Sequence, residues 1–432
     1  MEPSSFCVDS LGPANYANPL DIAPKRFIAN SKRLAFDPHL FDDKLRDFSS
    51  KKLPSFEIAG PRQKNYFTSA EVKVAIVSCG GLCPGINSVI RALVMQLWHR
   101  YNVRVIWGSR YGYQGLAPDG EPLTPLNPEN LVHIHEAGGS FLGSSRGSPP
   151  SSLIVDTLMK FKINVLFTIG GDGTMRGAHE IYKECKKRFY KLAIVGIPKT
   201  IDNDIAYVRQ SFGFDTAVSI AYQAIQSGHN EAKGFFNGIG LVRLMGRHSG
   251  FIAASATLAA GHVNFCLVPE IPFALTGERG LFKLLLERLE ARKHALIVVA
   301  EGAGQNFFSE DIDAKDASGN KKLGNIGLFL KEKITQHFAK IKKTASIKYI
   351  DPSYLIRSAP ANPADQLFCA RLAQNAVHAA MAGKTDMLLG YWHGEMTHVP
   401  LAAVNDYRQA IDPTGGLWFN VLEMTGQPPE IG

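Results

Sequence analysis

No apolar run in the sequence approaches the ~18 residues that a membrane span requires, so no transmembrane helix and no membrane partner are expected. The N-terminus carries Glu2 and Asp9 and lacks the apolar core of a secretory signal or the character of an organellar presequence, which points to a cytoplasmic protein. Cysteine is scarce. Cys7, Cys79, Cys83, Cys185, Cys266 and Cys369 follow no disulfide pattern, and Cys79 and Cys83 have no second pair to complete a zinc site. Reduced thiols are the expectation. Also missing is a continuous basic face. The formal net charge is +8, but Lys and Arg are scattered without the interleaved aromatics of a nucleic-acid surface, so no nucleic-acid partner is expected. Small anionic substrates are a better use for that excess.

What is present is an ordinary globular composition, 45% apolar and 20% charged, over 432 residues, enough for two to three domains. Forty glycines are somewhat above the usual share, and many fall directly after apolar runs, as in strand-to-loop phosphate sites. Residues 1–70, rich in Pro, Asn, Asp and Lys, read as an extension that wraps a core or a partner subunit. Residues 72–77 then predict a buried strand, 78–85 a glycine-rich loop, and Ile86, Val89, Ile90, Leu93, Val94 and Leu97 one face of a helix. Strand, loop and helix together make a phosphate-binding unit, although neither the Walker pattern nor the dinucleotide fingerprint is matched. A second strand is expected over 103–107. The small-residue loop 138–147 ends in Arg146-Gly147, where an arginine can fork onto phosphate oxygens or simply be solvated.

A strand over 165–169 runs into Gly170-Gly171-Asp172-Gly173-Thr174, with a helix expected from Arg176 to about Phe189. Asp172 is suited to hold Mg²⁺ on a nucleotide, and Gly173 leaves room for a phosphate. The alternative is a structural Asp capping a helix. Residues 192–195, closed by Gly196, read as a buried strand ending in a turn, followed by Pro198-Lys199-Thr200-Ile201-Asp202-Asn203-Asp204. A carboxylate that deprotonates a hydroxyl would sit in such a loop, where ligands bind at strand ends. The alternative is a polar turn with an Asx motif.

Further strands, over 239–244, 265–268 and 295–300, lead into Met245-Gly246-Arg247, into Pro269-Glu270, and into Glu301. Helices are expected over 212–228 and 365–382. A polar stretch, 309–325, reads as a loop, and residues 349–357 carry another arginine, Arg357, with Tyr354 close by. His248 is given no catalytic role, and Trp418-Phe419 read as core or interface.

In their order along the chain these motifs resemble 6-phosphofructokinases. The match is carried by Gly80-Gly81-Leu82-Cys83-Pro84-Gly85-Ile86-Asn87, Gly170 to Thr174, Pro198 to Asp204, Met245-Gly246-Arg247 and Tyr354 to Arg357. The N-terminal extension, Lys199 and the Tyr-x-x-Arg form look most like the ATP-dependent plant and protist branch. The resemblance implies an α/β fold of two similar three-layer domains with the active site in the cleft between them. Residues 71–212, completed by about 357–410, would bind ATP and Mg²⁺, 213–356 fructose 6-phosphate, and 411–432 would form a C-terminal tail.

It also implies roles. Asp202 would take the proton from the sugar 1-hydroxyl, with Lys199, Thr200, Asp204 and Arg247 beside the transferring group. Asp172 would be the Mg²⁺-linked carboxylate, and Gly80, Gly81, Arg146, Gly147, Gly171, Gly173 and Thr174 the nucleotide contacts. Thr200, Ile201, Asp202, Met245, Gly246, Arg247, Glu301, Tyr354 and Arg357 would bind the sugar phosphate. The implied partners are ATP and fructose 6-phosphate, in a homo-oligomer, dimer or tetramer. Gly238 and Lys348 stand where bacterial members carry arginines that clamp the sugar phosphate across subunits. Two alternatives stay open: a pyrophosphate-dependent phosphofructokinase, which would favour Asp at position 173, or a non-catalytic regulatory subunit, which would lack Asp172 and Asp202.

Overall fold

The computed structural model describes residues 6–37, 53–308, 322–404 and 407–432. The described residues form two compact units, the first drawn from 1–200, 205–213 and 359–408, the second from 201–204, 214–358 and 409–432. Along the chain come β1 (Arg33–Ala35), β2 (Ser55–Ile58), β3 (Lys73–Ser78), α1 (Ile86–Met95), β4 (Val105–Ser109), α2 (Ser151–Lys160), β5 (Val165–Gly170), α3 (Asp172–Lys187) and β6 (Ala193–Pro198). Next are α4 (Phe214–Lys233), β7 (Gly238–Leu244), α5 (Phe251–Ala260), β8 (Phe265–Leu267), α6 (Leu281–Arg292), β9 (His294–Ala300), α7 (Ile326–Lys340), β10 (Ser346–Ile350) and α8 (Ser353–Ser358). The last are α9 (Pro363–Met381), β11 (Met387–Trp392), β12 (Glu395–Pro400) and α10 (Gly416–Thr425).

In the first unit the sheet order is β1-β2-β12-β11-β6-β5-β3-β4, with Thr124–Pro125 at the far edge. The strands from β11 to β4 are parallel. Alternate side chains of the buried strands face opposite layers. Ala75, Val77, Leu166 and Ile194 share one core with Ile154 and Leu158 of α2 and Met175 and Ile181 of α3. On the other side α1 packs against α9, and α9 against β6. The neighbours of β3 are β4 on one side and β5 on the other, so the winding reverses there and the loops after β3 and β5 diverge. Such a reversal leaves a crevice beyond the strand ends, the usual ligand position in open α/β sheets.

Two local expectations change. Gly196 does not end a strand: β6 continues through Pro198. A Cβ at Gly196 would stand 2.6 Å from Met175 Sδ and 2.9 Å from Leu388 Cβ, so the glycine marks tight packing between layers rather than a turn. The helix expected from Arg176 begins four residues earlier, at Asp172, with Gly171 as its N-cap.

The described part of the N-terminal segment is built into this unit. Phe6 is fully buried against Phe56 and Tyr207, and Asp9–Ser10 pair with Lys384–Thr385. Glu57 on β2 is buried beside His398 of β12 and Lys384. Burial alone would raise its carboxyl, but His398 Nδ1 at 3.3 Å and Lys384 Nζ at 2.7 Å outweigh burial and hold it at about 2. Burial pushes His398 down to about 4, so it is neutral at pH 7 and its contact with Glu57 is a hydrogen bond.

The second unit is a four-stranded parallel sheet, β8-β9-β7-β10. Its strands split by parity: Val242, Leu244, Leu296 and Val298 face a core shared with α4 and α5. Ile239, Leu241, Ile297 and Val299 face Leu285 and Leu289 of α6 and Leu330 and Ile334 of α7. Three layers result. Residues 411–432 are not a separate tail: α10 places Trp418 and Val421 in the first of these cores, and Ala274 N donates to Ile431 O at 2.6 Å. Of the polar stretch 309–325, residues 309–321 lie outside the described residues.

Candidate active site

In the first unit, three consecutive parallel strands, β3, β5 and β6, end side by side. Cys79 N donates to Ile169 O at 3.0 Å, and Lys199 N to Gly170 O at 2.9 Å. Lys199 is nearly fully buried, and its Nζ donates to Gly81 O at 2.6 Å. Its amine therefore reaches from the end of β6 to the loop after β3. Gly80 has φ +85°, a conformation favouring glycine, and a Cβ there would stand 3.6 Å from Lys199 Nζ. Gly80 N donates to Ser145 O at 3.0 Å, which draws the loop carrying the exposed Arg146 and Gly147 alongside.

After β5 the chain enters α3 within one residue. A Cβ on Gly170 would lie 2.0 Å from Thr174 Oγ1, so only glycine lets Thr174 fold back on the strand end. Asp172 occupies the first helical position and Thr174 the third, Thr174 N donates to Gly171 O at 2.9 Å, and the positive end of the helix dipole lies at the end of β5. Among the described residues, a Cβ at Gly173 would have Arg176 Nη2 as its neighbour, at 3.9 Å, and a Cβ at Gly81 or Gly147 would have none within 4 Å. A Cβ at Gly171 would stand 3.5 Å from Lys199 O.

Asp172 Oδ2 accepts from Arg408 Nε at 2.7 Å, a partner the sequence reading missed. Among the described residues no three His, Cys, Asp or Glu side chains are grouped to hold a metal. A lone carboxylate beside a helix N-terminus fits Mg²⁺, which takes one or two protein carboxylates and fills its remaining positions with water and phosphate oxygens.

In the second unit, Ile201 packs against the core and Asn203 has φ +57°, which turns the chain sharply between the two aspartates. Among the described residues Asp202 Oδ1 is buried with no hydrogen-bond donor, while Oδ2 takes Arg247 N at 3.4 Å. Ser249 Oγ donates to Asp202 O at 2.9 Å, and Gln409 N to Asp204 O at 2.9 Å. Burial first, then the Asp204 and Glu301 carboxylates, push Asp202 up to about 7, against the Arg247 N–H and the Arg357 charge. A carboxylate in that range is poised to exchange a proton near neutral pH.

The turn after β7 is fixed by β9. Glu301 N donates to Leu244 O at 2.9 Å and Gly302 N to Gly246 O at 3.0 Å. A Cβ on Gly302 would lie 2.0 Å from Arg247 O, and Gly246 has φ +127°. Met245 is buried in the core, which leaves its main chain rather than its side chain for a ligand. Tyr354 on α8 is 83% exposed, and Arg357 lies one turn further on. His248 is exposed. Thr200 O accepts from Ser211 Oγ. The nucleotide candidates, Lys199 and Thr200 belong to the first unit; Ile201, Asp202, Asp204 and the other sugar-phosphate candidates belong to the second.

Residues 73–380 match the phosphofructokinase family. The chain belongs to that family. It is 47% identical to an ATP-dependent 6-phosphofructokinase of Borreliella burgdorferi, covering 98% of this chain and 97% of that protein. It is 44% identical to the ATP-dependent 6-phosphofructokinase 7 of Arabidopsis thaliana (96% and 86% covered) and 46% identical to the Entamoeba histolytica enzyme (84% and 83% covered). Among solved structures, the pyrophosphate-dependent phosphofructokinase of Marinobacter aquaeolei superposes with TM-score 0.67 at 18% identity, covering 82% of this chain and 91% of that one. At that identity the likeness establishes the shared phosphofructokinase fold.

Proposed function

We propose that this phosphofructokinase transfers the terminal phosphoryl group of ATP to the 1-hydroxyl of fructose 6-phosphate, giving fructose 1,6-bisphosphate and ADP. The observation that carries the reading is the Asp202 carboxyl, buried, without a donor on Oδ1 among the described residues, and raised to about 7. Such a group accepts the hydroxyl proton as the new O–P bond forms and the bridging O–P bond of ATP breaks. Phosphoryl transfer asks mainly for positioning and charge neutralisation. Lys199 and Arg247 supply positive charge, and Arg357, Tyr354, Glu301 and the 245–247 turn hold the sugar phosphate.

Gly80, Gly81, Arg146, Gly147 and Gly171 to Thr174 hold the nucleotide, where a small-residue crevice at a helix N-terminus suits phosphates. Mg²⁺ would be held by Asp172 and supplies charge neutralisation on the ATP phosphates; Arg408 would have to give up its bond to that carboxylate or share it. Gly173 favours ATP over pyrophosphate as donor, since the space beside it is open. The named relatives favour the same donor. A homo-oligomer in the cytoplasm completes the proposal; all six cysteines are free thiols, as a reducing compartment keeps them.

The test is a coupled assay of purified protein with fructose 6-phosphate and Mg²⁺, offering ATP and pyrophosphate in parallel. Turnover with ATP is expected; turnover with pyrophosphate alone would establish the rival donor, and no turnover with either the regulatory-subunit reading. Light scattering of the same sample tests the oligomer.

A further inference from the structure

We infer that Arg243 is the positioning residue of the sugar-phosphate site, a single guanidinium that sets both Glu301 and the helix carrying Tyr354 and Arg357. The inference rests on the function proposed above. It follows from where three strands end. β7 lies between β9 and β10, with Arg243 level with Val299 and Val242 level with Ile350. The first residue past β9 is Glu301 and the first past β10 is Asp351, so two carboxylates flank the C-terminal end of the middle strand. Arg243 stands between them on that strand. Its Nη2 donates to Glu301 Oε2 at 2.7 Å and its Nη1 to Asp351 Oδ2 at 2.6 Å, with side chains 15%, 16% and 27% exposed.

Each carboxylate passes the constraint on. Asp351 Oδ1 accepts from Ser353 N at 3.1 Å and Ser353 Oγ at 2.5 Å, which anchors the start of α8 and so the placement of Tyr354 and Arg357. Glu301 is tied through its own N–H to Leu244 O, directly before the 245–247 turn. With its two terminal nitrogens engaged by protein carboxylates, Arg243 acts on a sugar phosphate through these neighbours rather than by contact. A lysine has the charge but not the fork, and cannot span both carboxylates in the same way.

The same guanidinium has an electrostatic consequence. Asp202 is faced by Asp204 on its own loop, Glu301 after β9, the N–H of Arg247 after β7, and Arg357 on α8. Arg243 offsets the Glu301 charge. Removing it leaves that carboxylate less compensated and makes Asp202 harder to ionise, so the acid limb of the rate profile moves to higher pH.

The experiment compares the full-length protein with Arg243→Lys, Arg243→Met and the double variant Arg243→Met/Glu301→Gln, measuring KM for each substrate and kcat/KM from pH 5.5 to 9. Arg243→Lys is expected to raise KM for fructose 6-phosphate about tenfold or more while kcat, KM for ATP and the acid limb stay near wild type. Arg243→Met is expected to show the same KM loss and an acid limb shifted upward by about half a unit to one unit. In the double variant the limb returns to its wild-type position. The inference is overturned if Arg243→Lys leaves KM for fructose 6-phosphate unchanged, or if both KM values rise together. Should Arg243→Met not fold, the Lys variant still decides. A wild-type chain without ATP-dependent activity sinks the proposed function itself, which separates the two failures.

Discussion

Replacing Asp202 by Asn separates what this carboxyl does for catalysis from what it costs the fold. A carboxyl raised in the folded state from 3.8 to about 7 binds more protons folded than unfolded over that interval. Stability therefore falls as pH climbs from about 4 to about 7, and levels off above it. The full shift corresponds to about 4 kcal/mol, and since local relaxation and water entry relieve part of a buried charge's penalty, a gain of about 2–4 kcal/mol on removing it is expected at pH 8. Asparagine keeps the size, and its carbonyl can accept from Arg247 N as Oδ2 does at 3.4 Å.

The assay is thermal unfolding of wild type and Asp202→Asn at pH 5 and pH 8, alongside turnover. At pH 8 the variant should melt roughly 5–10 °C higher, and at pH 5 the difference should shrink to less than half, because the wild-type carboxyl is then largely protonated when folded. Turnover should fall by about 10² to 10⁴-fold or more with fructose 6-phosphate still bound. A variant that melts at or below wild type at pH 8, or a difference that does not change with pH, refutes the electrostatic reasoning. Near-normal turnover refutes the general-base role.

The other expected outcomes can be read with similar assays. Gly173→Asp should abolish ATP use without loss of thermal stability, because among the described residues a new Cβ has Arg176 Nη2 as its neighbour, at 3.9 Å, while the carboxylate opposes a phosphate; retained ATP turnover would show that this position does not select the donor. Arg357→Ala should raise KM for fructose 6-phosphate by the equivalent of roughly 1.5–3 kcal/mol with KM for ATP nearly unchanged, and an equal loss for both would make Arg357 structural. Glu57→Gln should destabilise the first unit by about 3 kcal/mol at pH 7 and hardly at all near pH 2. A carboxyl held at about 2 contributes stability above its unfolded value of 4.5 and loses it as pH falls through the folded one; acid and thermal unfolding curves that run parallel for the two proteins would contradict this.

Much of the architecture was open to reading because buried parallel strands announce themselves as apolar runs and their loops begin with glycine or charge. β3, β5, β7 and β9 all start and end within about two residues of the expected positions. The errors share a cause: a glycine reads as punctuation whatever it does in space. Gly196 looked like the end of a strand, but it lies inside β6 to let Met175 and Leu388 approach. Gly170 to Thr174 looked like a loop before a helix, although Asp172 and Gly173 are already its first turn. The C-terminal stretch 411–432 had no motif to mark it, and the burial of Trp418, Val421 and Ile431 assigns it to the second unit.

The proposed site was legible in a similarly uneven way. Residues that meet a ligand cluster just past strand ends, so Asp172, Asp202, Arg247 and Glu301 could be picked from the pattern. Residues that hold those in place need not follow it. Arg243 sits inside an apolar strand, one residue before Leu244, and its importance depends on β9 and β10 flanking β7, an order of 9-7-10 that no local pattern encodes. Arg408 is likewise separated from Asp172 by 236 residues, yet bonds it at 2.7 Å. Loop chemistry is written in the sequence beside the strand that presents it, while support comes from whichever strand the topology brings alongside. A buried or half-buried arginine in a β-run is the one local sign of such support, because a guanidinium is kept there only if carboxylates from neighbouring strands satisfy it.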